Sequence, residues 1–225
     1  MNYWKDHFNK NVQIYQNSLK KQVDMTLNKQ ELDDEQVKLR VESIIKNLEL
    51  ELSDTLLDLC CGNGILTRQI SEKVGFIYAV DFSSELLNIA KKVNQKDNIK
   101  YQEGDVVTLN FKEFKVSKVL IYSCLQYLQE EQVSKLFYGL STFQHILVYI
   151  SNIPDRSKLL KYYDTKEKLE YYKKTLDEGK PHIGTWYLKN YLADLAKSNG
   201  FNYKFLTIDR RMNTSYYRFD LLLEK

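Results

Sequence analysis

The chain is poor in the residues that announce a disulfide framework, a metal centre or a polyanion partner. Three cysteines stand among 225 residues, two adjacent at Cys60-Cys61 and one at Cys124. They have neither disulfide arithmetic nor metal spacing, and read as reduced packing residues at strand ends. No cluster of Asp, Asn and His at ligand spacing follows the fourth strand-like segment, so no metal is expected. Lys and Arg number 33 against 30 Asp and Glu, a formal net charge of +3. No strong basic face for nucleic acid is forced by that balance, and clusters such as Lys20-Lys21 read as solvated helix surface. No apolar run reaches the ~18 residues that cross a bilayer, and Met1-Asn2-Tyr3-Trp4-Lys5-Asp6 lacks the apolar core of a signal peptide, so the expected place is the cytoplasm, with no membrane partner. Repeats and low-complexity linkers are missing as well. A chain of this length suits one α/β domain, residues 1–225, with a buried central sheet.

What is present is concentrated in Leu56-Leu57-Asp58-Leu59-Cys60-Cys61-Gly62-Asn63-Gly64-Ile65-Leu66, where an apolar strand runs into a glycine-bearing turn and then a helix. Gly62 and Gly64 carry no Cβ, so they can take φ > 0 and let a nucleoside lie against the main chain near the N-terminal amides of the next helix. The dinucleotide fingerprint G-x-G-x-x-G/A needs a small residue three after Gly64, and Thr67 stands there. A phosphate loop needs a Lys after its last glycine, and none follows Gly64.

Downstream residues narrow the choice. Phe76-Ile77-Tyr78-Ala79-Val80 reads as a second buried strand ending in Asp81-Phe82-Ser83-Ser84. An acidic residue about 20 positions past the glycine turn, at the tip of the second strand, can accept both ribose hydroxyls. Ser83 or Ser84 should cap a helix from Glu85 to Lys92. A third strand, Ile99 to Glu103, leads into Gly104-Asp105-Val106, and a fourth, Lys118 to Ser123, opens on Cys124-Leu125-Gln126-Tyr127.

The stretch Asp58-Leu59-Cys60-Cys61-Gly62-Asn63-Gly64 resembles the first motif, D-x-G-x-G-x-G, of the class I S-adenosylmethionine (SAM) dependent methyltransferases, with Cys60 in place of its first glycine. Four strand-end signals in the right order extend the resemblance over roughly residues 35 to 150. It implies a Rossmann-like α/β fold: a mostly parallel seven-stranded sheet with an antiparallel last strand and helices on both faces. SAM is the implied cofactor and S-adenosylhomocysteine the product. Asp58 would orient the sulfonium or amino-acid side, Asp81 the ribose and Asp105 the adenine, with Phe82 against the adenine face. Cys60, Gly62, Gly64, Val106, Ser123 and Gln126 complete the implied cofactor set. Asp105 also reads as a plain turn residue after Gly104, and Phe82 as a core residue. The signature for methylating nucleic-acid bases, Asn or Asp followed by Pro-Pro-Tyr or Phe, is absent after the fourth strand, which argues against DNA as acceptor.

The remaining segments should carry specificity. Residues 1–34, with Tyr3, Trp4, His7, Phe8 and Tyr15, read as one or two amphipathic helices able to form a lid, followed by a helix over Glu35 to Leu48 that packs on the sheet. A fifth strand, His145 to Ser151, precedes a charged, tyrosine-rich insertion within residues 155–180 of the kind that builds acceptor sites in the family resembled. A last helix is expected from Gly184-Thr185-Trp186 to Lys197, ended by Gly200, and a strand pair over Phe201 to Ile208 and Ser215 to Leu223 closes the chain.

Displacement of a methyl group by a neutral hydroxyl or a protonated amine benefits from a base with a pKa near the working pH, which favours His. His182, in the loop before the last helix, is the first candidate and His7 in the lid the second, with Tyr127 beside Gln126 near the acceptor. His145, within an apolar run, reads as structural. The function expected is methyl transfer to O or N of a small polar metabolite, such as a sugar- or phosphate-containing one of a surface-polysaccharide pathway. A protein or tRNA acceptor, and a non-catalytic SAM-binding subunit, are the alternatives.

Overall fold

The computed structural model describes residues 3–225. Its centre is β3 (Thr55–Leu59), whose side chains are buried on both faces: Leu56 packs with one apolar cluster, Leu57 and Leu59 with another. Alternation of this kind is the period of a strand, and a strand covered on both faces reads as a nearly continuous apolar run, as Leu56 to Leu59 does with Asp58 its one polar residue. Around it lies a seven-stranded sheet in the order β5-β4-β3-β6-β7-β9-β8. The remaining strands are β4 (Phe76–Asp81), β5 (Ile99–Glu103), β6 (Lys118–Tyr122), β7 (Leu147–Pro154), β8 (Asn202–Leu206) and β9 (Arg218–Glu224). β9 runs antiparallel between β7 and β8, and the other neighbours are parallel. Strand order therefore reverses beside β3, and the crevice at the carboxyl ends of β3 and β6 is where an open α/β sheet holds ligands.

Helices cover both faces. α3 (Asp34–Leu48) starts where the Asp33 carboxylate accepts the Gln36 amide and ends on Glu49 at φ 48°, with Ile44 and Leu48 buried on one face of the sheet. α5 (Ser84–Val93) lies on the same face through Leu87 and Ala90, whereas α6 (Glu130–Leu140) and α9 (Lys189–Ser198) cover the opposite face with Val133, Leu136, Phe137, Leu192 and Ala196. Each fully buried Leu, Ile or Phe stabilises the fold by ~1.5–3 kcal/mol relative to exposure.

The terminal segments and loops build a roof over the crevice. The N-terminal part forms α1 (Tyr3–Ile14), α2 (Leu19–Gln22) and a two-strand hairpin, β1 (Thr26–Leu27) and β2 (Gln30–Glu31). Sequence periodicity misses the hairpin because its two-residue strands, pinned by Asn28 and Lys29 at positive φ, are too short to show alternation. Met1 and Asn2 of the expected lid lie outside the described residues. The insertion folds as α7 (Leu159–Tyr162) and α8 (Lys166–Asp177).

Four sequence expectations need correction. The helix after the glycine turn is a single turn, α4 (Thr67–Ile70), continued by a tighter turn to Lys73. The last helix begins at Lys189 rather than Gly184. Residues 184–188 are held off the helical path because Gly184 sits at φ 99° with its Cα against the Gln126 carbonyl, Thr185 donates its amide to that same carbonyl, and Tyr187 bridges to Asp155. His145 stands exposed in a bend before β7 instead of inside the strand. Finally, Cys60 and Cys124 are joined as a disulfide, their Cα atoms 6.1 Å apart, and only Cys61 is free among the described residues. The reduced reading rested on residues 64 positions apart; β3 and β6 are neighbours, and their carboxyl ends bring the pair within disulfide reach.

Candidate active site

Three non-glycine residues at positive φ mark the carboxyl ends of three adjacent parallel strands: Cys60 at 62° after β3, Ser123 at 51° after β6 and Asn152 at 65° within β7. Backbone held this way costs about 1–3 kcal/mol per residue, and clusters of it belong to binding clefts. At Asn152 the cause is visible. The β7–β9 register shifts between Ile150 and Ile153, and the Asp220 carboxylate clamps the bulge by accepting the Asn152 amide at 2.7 Å, the Ser151 hydroxyl at 2.9 Å and the Tyr149 hydroxyl at 2.5 Å.

These strand ends open into one cavity of about 1230 Å³. On its floor Asp58 accepts the Thr67 hydroxyl at 2.6 Å, and Asp81 accepts the Gly62 amide at 2.8 Å and the Ser83 amide at 2.9 Å. The Asp81 carboxylate thus ties the glycine turn to the tip of β4, which explains the pairing of Asp and Gly in the sequence. Burial pushes the Asp58 carboxyl up to about 7, against the lowering effect of its Thr67 bond. Burial likewise lifts Asp81 to about 6, against its backbone bonds. Two carboxyls so raised make a floor that favours a cationic ligand, since an added positive charge offsets the desolvation that their hydrogen bonds leave uncompensated.

Other expected cofactor residues line the same cavity: Cys60, Gly62, Phe82, Asp105, Val106, Ser123 and Gln126. Asp105 is exposed, its carboxylate accepting the Val107 amide at 2.9 Å, so it closes its own turn while facing the cleft. Phe82 meets Phe8 edge-on at 6.4 Å, joining the lid to β4. Gly64 does not line the cavity; a Cβ there would stand 2.3 Å from the Tyr101 hydroxyl, so its backbone is pressed from behind by β5. At Gly62 a Cβ would come within 2.9 Å of Val23 in the lid. The close approach that demands these glycines is therefore made by the protein's own side chains.

The roof is aromatic. Trp4 and Phe8 of α1 sit 4.5 and 5.2 Å from the Tyr127 ring, Lys5 pairs with Glu103 at 3.2 Å, and Asn63 donates to the Leu19 carbonyl at 2.8 Å and to Gln22 Oε1 at 2.9 Å. His7 lies 2.7 Å from Asp24 through Nε2, and Asn11 donates to the other oxygen of Asp24 at 3.0 Å. Asp24, which sequence reading missed, also raises the pKa of His182 by its charge, although desolvation dominates and lowers it. Both histidines line the cavity, His182 with its Nδ1 at 3.3 Å from the Tyr163 hydroxyl. Tyr127 lines the cavity, and burial raises its phenol pKa, so the phenol stays protonated. Other missed residues are Arg40, Asn152, Thr214 and Arg218. They come from a helix, a bulge, the β8–β9 connection and the first position of β9, with no local pattern linking them. The one sequence signal was Ser151-Asn152, a polar pair interrupting the apolar run of β7.

Residues 56–143 match the family model described as a methyltransferase domain. That segment of the chain is a methyltransferase domain. Its fold is similar to magnesium protoporphyrin IX methyltransferase from Synechocystis PCC 6803 with bound S-adenosylhomocysteine, at a TM-score of 0.64 and 16% identity, covering 97% of this chain and 99% of that one. Among curated proteins, "2-phytyl-1,4-naphtoquinone methyltransferase" of Nostoc punctiforme is 39% identical over 77 residues, 31% of this chain and 34% of that protein. "Probable ribosomal RNA small subunit methyltransferase A" of Thermococcus sibiricus is 27% identical over 112 residues, 46% of this chain and 40% of that protein. The chain thus spans well under half the length of these two relatives.

Proposed function

We propose that the protein transfers the methyl group of SAM to an oxygen or nitrogen of a small polar molecule, acting in the cytoplasm. The observation that carries this reading is a roofed cavity at the strand-order reversal whose floor holds two buried, pKa-raised carboxyls, Asp58 and Asp81. That floor suits a ligand with a sulfonium and an ammonium group. When bound, SAM supplies an activated methyl that an acceptor lone pair can attack in line.

The chain's own residues then have separable tasks. Asp81 keeps acceptor capacity beyond its backbone bonds to Gly62, Ser83 and Phe82, enough to accept from a ribose hydroxyl. Asp58 faces the amino-acid end, while Asp105 and Val106 border the adenine. Ser123 and Gln126 stand where cofactor and acceptor would meet. The roof of α1 and the hairpin excludes water and holds the reactants together, which is the main contribution to such a displacement. His182 takes the proton from the acceptor. Its lowered pKa keeps the imidazole neutral near neutral pH, and its Nε2 makes no hydrogen bond among the described residues. His7, with Nε2 held by Asp24, latches the lid at the mouth.

The roof favours a small acceptor over RNA, because α1 and the hairpin occupy the space above the strand ends that a polymer would need. Incubation with SAM carrying a labelled methyl group, together with either a filtered metabolite extract or ribosomal RNA, tests this. Label in the metabolite fraction is expected. Label in RNA alone would replace the small acceptor with a nucleic acid.

A further inference from the structure

The acceptor side of the cavity is charged opposite to its floor. Arg40 and Arg218 are 97% and 93% buried, yet neither has a carboxylate within ion-pair distance among the described residues. Arg40 donates to the Gln36 carbonyl and to Asn213 Oδ1 at 2.6 Å, all neutral partners. Arg218 gives Nη1 to the Asn152 carbonyl at 2.5 Å and leaves Nε without a partner. Asp220, two residues on, is committed to Tyr149, Ser151 and the Asn152 amide. Beside Arg218, the Thr214 hydroxyl is buried and also unpartnered. Both line the cavity. A buried guanidinium facing only neutral groups is costly, and one with an idle N–H in a cavity wall is a site prepared for an anion.

The wall around it is aromatic. The Arg218 guanidinium lies 5.1 Å from the Tyr217 ring, Tyr217 packs 4.5 Å from Tyr162 and 4.8 Å from Tyr216, and Tyr171 meets His182 at 5.3 Å. Flat rings recognise flat or apolar bodies by area and edge geometry. Two further unpartnered atoms, Gln126 Oε1 and Asn152 Oδ1, lie on the border with the cofactor floor, their amide nitrogens both given to Ser123 Oγ at 3.0 Å. These oxygens accept hydrogen bonds, so a hydroxyl or amine donor belongs there, next to the methyl.

We propose that the acceptor is an anionic molecule with a flat apolar body, its carboxylate or phosphate held by Arg218 and Thr214, with the buried charge of Arg40 reinforcing the anion, and its hydroxyl or amine presented to Gln126 and Asn152. This deepens the methyltransferase reading by naming the acceptor's chemistry and rests on it only for what happens to the bound molecule. Arg218 and Thr214 are acceptor-binding residues; Asp220, which acts through the Asn152 bulge, is a positioning residue.

Calorimetry on the full chain tests this with 4-hydroxybenzoate, 4-hydroxyphenyl phosphate and the neutral methyl 4-hydroxybenzoate, each titrated with and without S-adenosylhomocysteine. At least one anion should bind at least about tenfold more tightly than the neutral ester, the effect of one charge-assisted contact. Which of the two wins separates carboxylate from phosphate. Arg218→Met should erase the preference for charge while leaving S-adenosylhomocysteine affinity within about threefold. Because Arg218 also braces the bulge, Thr214→Val supplies a gentler variant that should weaken the favoured anion by about threefold to tenfold with the fold intact. Equal binding of ester and anions, binding of none of them, or an anion preference that survives both variants would overturn the proposal. Failure of S-adenosylhomocysteine to bind while anion preference persists would instead overturn the methyltransferase reading and leave this one standing.

Discussion

The floor and the roof of the cavity are built by opposite means. The floor comes from the carboxyl ends of parallel strands in register, where Asp58 of β3 stands level with Ala79 of β4 and Leu120 of β6, Asp81 closes β4 two residues further on, and the sheet fixes their spacing. The roof comes from α1, the β1–β2 hairpin, α7, α8 and the β8–β9 connection, drawn from both ends of the chain. The cavity's charge is divided as well, with carboxylates at Asp58 and Asp81 on the floor and guanidiniums on its wall at Arg40 of α3 and Arg218 at the start of β9. A cationic cofactor and an anionic acceptor would each meet the opposite sign, and that sorts the two molecules before any shape recognition acts.

The sharpest way to break this division is Asp81→Ala. It removes the carboxylate that holds the Gly62 and Ser83 amides, two charge-assisted bonds of ~1.5–3 kcal/mol each. SAM affinity should fall by roughly a hundredfold or more in calorimetry. If floor and roof are separate, binding of the anionic probe measured without cofactor should stay unchanged. A variant that kept full SAM affinity would remove Asp81 from the cofactor site.

His182→Ala addresses the roof. Turnover should drop by ~10²-fold with SAM affinity retained, and the acidic limb of the pH–rate profile should vanish. Because desolvation lowers the His182 pKa, that limb in the parent enzyme should lie below the ordinary imidazole value of 6.5. Loss of turnover with the limb unchanged would make His182 an acceptor-positioning group.

Gly184→Ala tests the join between the halves. The added Cβ would stand 2.1 Å from the Gln126 carbonyl at φ 99°, so the loop carrying His182 must shift. A loss of about 1–3 kcal/mol in denaturant unfolding is expected, with the turnover defect exceeding any SAM-binding defect. A stability equal to the parent's would mean that the loop moves freely over Gln126.

The two halves also differ in how much of them the sequence disclosed. Leu56 to Leu59, Ile77 to Val80 and Val119 to Ile121 are buried runs each followed by a chemically distinctive residue, so strand, turn and cofactor contact are all local. The seven-stranded, mostly parallel sheet and the antiparallel last strand follow from the resemblance to the methyltransferase family. The roof's key contacts are between residues distant in the chain: His7 with Asp24, Arg40 with Asn213, and Arg218 with Asn152. No periodicity encodes such pairs. Gly184 shows the same limit, since a glycine before a helix suggests a helix start, and only the Gln126 carbonyl, far away in sequence, reveals why the helix waits until Lys189. Cys60 and Cys124 likewise became partners only once β3 and β6 were known to be neighbours.

The central claim is that buried carboxyls of the floor await a cationic cofactor, and protons released on binding test it most directly. Bound SAM should return Asp58 and Asp81 to the charged form, so binding should strengthen as pH rises through the window from about 6 to about 7. Within that window, titrations in two buffers of different ionisation enthalpy should report net proton release into solution. SAM binding that is independent of pH across this window, with no proton released, would contradict the account.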